Sequence, residues 1–294
     1  MGNERNYGDS IVHDLQELTS EDKKYAAEHL TETDENREDA IAEIRCWIED
    51  ELRIQIDNFL ILRFLRVGKF NLEKTKTRIQ NYCKQRSALP EWYLNKDPFQ
   101  PELQELLDIG VCLPLRKLDS RGRLVLIVRY TRHDPTIHKL TDVIKIIVTM
   151  LELTMRNNAT ASVYGITLFL DMVNLSIRHV AKMSPYVIWN GVHAWKNCYP
   201  IRVQSMNFIN APTIFDGIAR IMKSFLTEKM KNRFHVYSHM SLSCFKDVPR
   251  DILPIEYGGT DGTLQELTDY WKKLVEQNRD WIMSDENVKI EGKS

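Results

Sequence analysis

His235 and His239 stand four residues apart, the spacing that on a helix aims two imidazoles at one zinc ion. No Glu follows the first of them, and Phe234 to Ser238 reads as a strand, so a zinc site is not expected. Asp171 ends an apolar run, where α/β enzymes often place an acid, but a lone Asp there more commonly caps the strand end. Cys198 and Arg202 have a spacing that fits no thiol enzyme. The chain contains no G-x-G-x-x-G, no P-loop and no G-x-S-x-G. Nucleophile, base and orienting group cannot be assembled from these residues, so the chain is read as a non-enzyme without metal or cofactor.

The chemistry that remains is binding. From Tyr199 to His239 a strand-like run, Val203 to Ile209, leads into a helix that Asn210 is placed to cap and Pro212 to start. That helix carries Ile214, Phe215, Ile218, Ala219, Ile221, Met222 and Phe225, and only Asp216, Arg220 and Lys223 break its apolar circumference. Lys223, Lys229, Lys231 and Arg233 follow against one acid, Glu228. Two readings fit. The helix is core beside a solvated basic turn, or it is a lid whose inner face covers an apolar ligand and whose outer face meets a membrane. Periodicity alone does not choose between them.

The elements that must position these residues follow from the rest of the chain. At 294 residues, one large domain or two modest ones are expected. A net charge of -1 makes any basic patch local and gives no sign of bulk nucleic-acid binding. Cys46, Cys83, Cys112, Cys198 and Cys244 are scattered and odd in number, which suggests free thiols in a reducing compartment. MGNERNYGDS has no apolar core and is no secretory signal, and Asn6 weakens its Met-Gly start as a myristoylation site. No window reaches the roughly 18 apolar residues of a membrane span. A cytoplasmic protein with transient, peripheral membrane contact is expected.

Residues 1–95 read as an all-helical N-terminal domain. Leu15, Leu18 and Tyr25 begin one amphipathic pattern, and Ile41, Ile44, Ile48 and Leu52 form another. Asp57 and Asn71 are placed as N-caps and Gly68 as a stop. Lys74, Lys76, Arg78 and Lys84 read as a solvated face. Pro90, Pro98 and Pro101 mark a linker. Residues 96–282 then alternate strands and helices, which predicts an α/β domain with a mainly parallel sheet. Leu113–Leu118 and Leu124–Tyr130 should pair through an Asp119–Gly122 turn. A helix from Thr141 to Asn157 should turn Asp142, Lys145, Thr149, Glu152 and Arg156 to water, and Tyr164–Asp171 should form the next strand. Val180, Met183, Val187, Gly191 and Ala194 share one face of a further helix. Leu264 to Ile282 should form the last helix, with residues 283–294 a disordered tail.

Several of these pieces resemble a known family. DNFLILRFLRVGKFNLEKT is similar to the N-terminal helical segment of CRAL-TRIO proteins. PLRKLDSRGRLVLIVR, ITLFLDMVNLS, the stretch YPIRVQSMNFINAPTIFDGIARIMKSFLTEKMKNRFHVYS and DILPIEYGG resemble their lipid-binding domain. The likeness spans about residues 40 to 260, and is greatest to tocopherol-binding members, with retinaldehyde-binding members close behind. It implies a cavity between a sheet floor and a mobile gate helix. It also implies carriage of a tocopherol-like or retinoid-like molecule with exchange at phosphoinositide-containing membranes. The alternatives are a phospholipid or phosphoinositide exchanger, or a signalling scaffold that uses lipid as an address.

Carried over by position, the pocket would be lined by Ile144, Ile147, Leu151, Ile166, Leu168, Ile177 and Val187. Gly191, Ala194, Trp195, Tyr199, Met206, Phe208 and Ile218 would complete it. The gate would present Ile214, Phe215, Ile218, Ile221 and Met222, and Arg202, Lys229 and Arg233 would meet phosphoinositide. Ile147 and Leu151 stand where tocopherol-binding members have serines, and Trp195 replaces a smaller aliphatic residue. Two further family bases fall on Gln204 and Thr77.

Overall fold

The computed structural model describes residues 18–156 and 158–285. The expectations placed on Leu15, on the Met1-Gly2 start and on residues 286–294 lie outside them.

The N-terminal part is helical as far as the first strand. Helix α1 (Ser20–Leu30) and helix α2 (Asp34–Trp47) each begin at a reciprocal capping box, on Thr19 and Thr33. A π turn, Ile48–Leu52, extends α2, and Ile41, Ile44, Ile48 and Leu52 are buried together. Asp57 caps α3 (Asn58–Gly68) by accepting from the Leu60 amide, and Asn71 caps α4 (Leu72–Ala88) by accepting from Lys74. The three-proline segment carries α5 (Pro90–Tyr93), with Trp92 and Tyr93 buried, and leads into α6 (Pro101–Ile109).

Arg63 and Arg66 on α3 do not reach solvent. Arg66 donates to both oxygens of Glu32 at 2.7 and 2.8 Å and to Ser162 Oγ, so it fastens the α1–α2 corner to the α/β domain. Burial pushes the Glu32 carboxyl up, but Arg66 and Arg37 together hold it below its usual value. A depressed carboxylate stabilises fully above its unfolded pKa and loses that contribution as pH falls. Glu32→Gln should therefore lower the urea midpoint at pH 6. The gap from wild type should close as pH drops below the ordinary glutamate value of 4.5.

The α/β part is built on five strands in the order β1 (Cys112–Pro114), β2 (Leu124–Val128), β3 (Ile166–Asp171), β4 (Val203–Ile209), β5 (Phe234–Val236). Only β1 runs antiparallel to its neighbour. β2 reads LVLIV and is buried throughout, as a strand covered on both faces must be. The turn before it forms at Asp119, which accepts the amides of Arg121 and Arg123 and pairs with Arg123 Nε at 2.6 Å. Gly165 enters β3 at φ 92°, where a Cβ would collide with the Arg202 carbonyl.

Helix α7 (Leu140–Arg156) and helix α8 (Ala159–Tyr164) connect β2 to β3. The polar face expected on α7 is not solvated: Asp142, Lys145, Thr149 and Glu152 are buried. α5 and α6 pack on α7, so its polar groups pair internally instead of meeting water. Glu152 takes Arg86 at 3.1 Å and Lys96 at 3.4 Å, and Asp285 takes the same two bases. The single helix expected across Val180–Ala194 is two, α9 (Ile177–Lys182) and α10 (Pro185–His193). Ser184 caps the second and Pro185 starts it, which breaks the run.

Helix α11 (Phe215–Ser224) is shorter than expected and starts without a side-chain cap. Asn210 instead sits at φ 53°, donates to Asp171 Oδ1 at 2.8 Å and accepts from the Met240 amide. Helix α12 (Glu228–Lys231) precedes β5. The C-terminal pattern is also two helices, α13 (Leu264–Gln277) and α14 (Arg279–Asp285). Residues 283–285, expected in the tail, are helical, and Asp285 pairs with the buried Arg86 and Lys96.

Candidate functional site

The β-strand period builds the floor of a cavity of about 300 Å³. Leu126 and Val128 of β2, and Ile166, Leu168 and Leu170 of β3, point to one face at alternate positions. On β4 the register shifts beside Ile166, so Val203 joins Met206 and Phe208 on that face despite its odd spacing. α7 supplies one wall. Leu140, Ile144, Ile147 and Leu151 are its incompletely buried apolar residues, and all four border this space. α10 and the π turn after it supply Val187, Gly191, Ala194 and Trp195. Among the described residues, no Asp, Glu, Lys, Arg or His lines the cavity.

Of the residues carried over for the pocket, all but Ile177 and Ile218 stand on this wall. Ile177 is the first residue of α9 and is 75% exposed. Its helix turns His179 inward, which leaves Ile177 outside with Tyr186 and Trp189 of α10. Ile218 is buried beneath α11 among Met206, Phe208, Phe215 and Phe234. From α11 it is Phe215 and Met222 that reach the cavity. Ile221 packs at the edge of the same cluster, and Ile214 is half-buried just before the helix. α11 is not apolar all round. Phe215, Ile218 and Ala219 point inward, while Asp216, Gly217, Arg220 and Lys223 form an exposed face. The apolar count in this stretch hid a clean two-faced helix.

Trp92, Tyr93 and Tyr130 also line the cavity and were not foreseen. Leu126 and Val128 were legible, since they alternate within a strand already recognised. Trp92 and Tyr93 were not, because only the packing of α5 on α7 brings them there.

Behind the wall the polar groups are paired. Tyr199 is on the cavity surface, and its hydroxyl donates to Glu152 at 3.5 Å. Burial drives the Tyr199 phenol well above its usual value, so it stays a neutral donor. Arg78, read from sequence as part of a solvated face, donates to the carbonyls of Tyr199 and Lys196 at 2.9 and 2.7 Å. It caps the carbonyl end of the π turn that carries Trp195.

The basic positions fall outside the cavity. Arg202 and Arg233 are close enough to repel one another, and each donates to a main-chain carbonyl, Val163 and Val203. Burial holds both guanidiniums below the usual arginine value. Lys229 is exposed on α12, one turn before Arg233. Gln204 donates to the Tyr164 carbonyl instead of adding charge.

The residues first weighed for catalysis have structural partners. Asp171 accepts from Tyr257 Oη at 2.8 Å and from Asn210, tying the end of β3 to two loops. Burial pushes the Cys198 thiol up to about 12, far from a nucleophile's range. His235 is on β5 and His239 lies in the loop beyond it.

Residues 109–259 match the model of a family described as CRAL/TRIO domain, and residues 33–103 match one described as Pinta-like, UBA domain. Alpha-tocopherol transfer protein-like from Homo sapiens is 31% identical over 266 residues, which is 90% of this chain and 76% of that protein. Its Mus musculus counterpart is 32% identical over 88% of this chain and 75% of that protein. Clavesin-1 from Xenopus laevis is 25% identical over 70% of this chain and 62% of its own length. Among solved structures, Sfh5 aligns with a TM-score of 0.52 at 15% identity, covering 88% of this chain and 99% of that one. That is a likeness of fold.

Proposed function

From the premise that this chain belongs to the CRAL/TRIO domain family, we propose that it carries a neutral, mainly apolar small molecule of the tocopherol or retinoid class. It works from the cytosolic side and exchanges its ligand at phosphoinositide-containing membranes. The observation that supports this reading is the apolar wall around a space of about 300 Å³, on which no charged side chain stands among the described residues. Such a space sits at the small end of the ~300–1,000 Å³ usual for ligand pockets. An ionised headgroup placed there would lose its water without finding a partner. A hydrocarbon-rich ligand gains roughly 25 cal/mol for each Å² it buries. Held so firmly in water, it needs a second event for release.

That event is contact with a membrane. α11 lies over the cavity through Phe215 and Met222, with α10 beside it. Ile177, Tyr186 and Trp189 are exposed on α9 and α10, and the exposed Lys229 with the half-buried Arg202 and Arg233 adds positive charge. Anionic lipid attracts such bases and apolar side chains enter the interface. The lid opens only as far as the membrane binds the open form better than the closed one.

The test is displacement of a fluorescent tocopherol or retinoid by defined lipids. Neutral isoprenoid lipids should compete and phosphatidylcholine or phosphatidylinositol should not. Competition by phospholipids alone would replace the carrier with a phospholipid exchanger. Lys229→Glu with Arg233→Glu should slow transfer to phosphoinositide vesicles about tenfold or more. Ligand affinity without vesicles should stay the same, because neither residue lines the cavity. Equal loss of both would mean a damaged fold, and unchanged transfer would mean a merely solvated basic surface.

A further inference from the structure

A second, smaller pocket of about 170 Å³ opens between α3, α7 and α14, on the far side of Tyr199 from the apolar cavity. Its wall carries two arginines. Arg63 of α3 is only 5% exposed, and its buried Nε has no hydrogen-bond partner. Among the described residues no carboxylate stands within ion-pairing distance of it. Arg156, in the last turn of α7, is half-buried, lies 4.6 Å over the Trp281 ring and likewise has no carboxylate partner among the described residues.

An arginine cannot escape burial by shedding its proton. A guanidinium taken out of water is normally matched by a carboxylate that accepts its forked hydrogen bonds, as Glu32 matches Arg66 three residues further along α3. Arg63 has the burial without the match. The acids that also line the pocket attract Arg63 at longer range but make their ion pairs and hydrogen bonds elsewhere. Glu152 and Asp285 neutralise Arg86 and Lys96, and Asp57 caps α3. Burial accordingly holds the Arg63 guanidinium below its usual value.

We propose that this pocket is a binding site for a compact phosphate group, held between the guanidiniums of Arg63 and Arg156. Two arginines on one small space suit the two charges and several acceptor oxygens of a phosphate better than a single carboxylate. The volume admits a phosphate or a small phosphate monoester, but not the acyl chains of a lipid. A lipid could therefore present only its headgroup. Because Tyr199 borders both spaces, the anion would sit next to the wall of the apolar cavity.

The experiment is thermal unfolding of the full chain titrated with inorganic phosphate, against chloride at the same ionic strength. Phosphate should give a saturable rise in Tm that chloride does not. Arg63→Met should abolish that rise and begin from a higher phosphate-free Tm, since an unmatched buried charge has been removed. Should Arg63→Met fail to fold, Arg156→Gln changes only a half-buried side chain and should weaken phosphate about fivefold or more. Sedimentation with phosphatidic acid vesicles separates the sources. Binding lost in both variants while inorganic phosphate is inert assigns the phosphate to a lipid headgroup. A response to phosphate no larger than to chloride, with vesicle binding unaffected by either substitution, overturns the site. So does a phosphate response that survives both substitutions.

Discussion

Gly191→Leu should make the protein more stable and cost it nearly all of its ligand. Gly191 is in the middle of α10 on the cavity wall, and a Cβ built there meets nothing within 4 Å. Replacing a helical glycine gains roughly 0.5–1 kcal/mol of backbone stability. The leucyl side chain then extends into the open space of the cavity beside Gly191. The same atoms exclude ligand. Denying a bound molecule about 100 Å² of apolar contact at ~25 cal/mol per Å² costs about 2.5 kcal/mol, nearly two orders of magnitude in Kd. Calorimetric unfolding and ligand titration read the two effects, which have opposite signs. Gly191→Ala is the control: it should keep the helix gain and most of the affinity. A Gly191→Leu protein that binds ligand as tightly as wild type would place the ligand elsewhere.

Glu152→Gln should be the most damaging single change away from the cavity. Glu152 is shared by Arg86 and Lys96 and approached by the hydroxyls of Tyr82 and Tyr199, all of them buried. Removing its charge leaves two buried cations with Asp285 alone. Breaking one side of a buried ion pair costs about 3–5 kcal/mol, which for a chain of this size lowers Tm by roughly 10 °C. Lys96→Met introduced beside Glu152→Gln should restore part of the loss, because the unmatched cation goes with its partner. A Tm within about 2 °C of wild type for Glu152→Gln alone would show that Asp285 satisfies both bases. Tyr199 adds a functional readout. With its acceptor weakened, the cavity wall should loosen and ligand dissociation should quicken.

Much of the architecture was legible because local signals agreed with the global fold. Asp57 and Asn71 are caps whose side chains have one productive partner each, the amide three residues on. LVLIV can be only a strand buried on both sides or a short core helix, and the Asp119–Gly122 turn before it decides for the strand. Most of the positions that the family likeness named for the pocket border the apolar cavity.

What sequence could not show is the fate of polar residues whose partners are far away along the chain. Glu152 and Asp285 are 133 positions apart, and no period connects them, so the first read as a solvated face and the second as tail. Arg78 looked like one of several surface bases, until α4 met the π turn and gave it two carbonyls. Ile177 and Ile218 were assigned to the pocket by position along the family likeness, but helix phase turns the first to solvent and buries the second beneath α11. Residue type and spacing determined the Asp57 and Asn71 caps and the buried strand β2. Which charges are buried, which of them are matched, and which apolar side chains border empty space were decided only when α3, α4, α5 and α14 closed around α7. Burial and pairing belong to the whole set of contacts, not to any one segment.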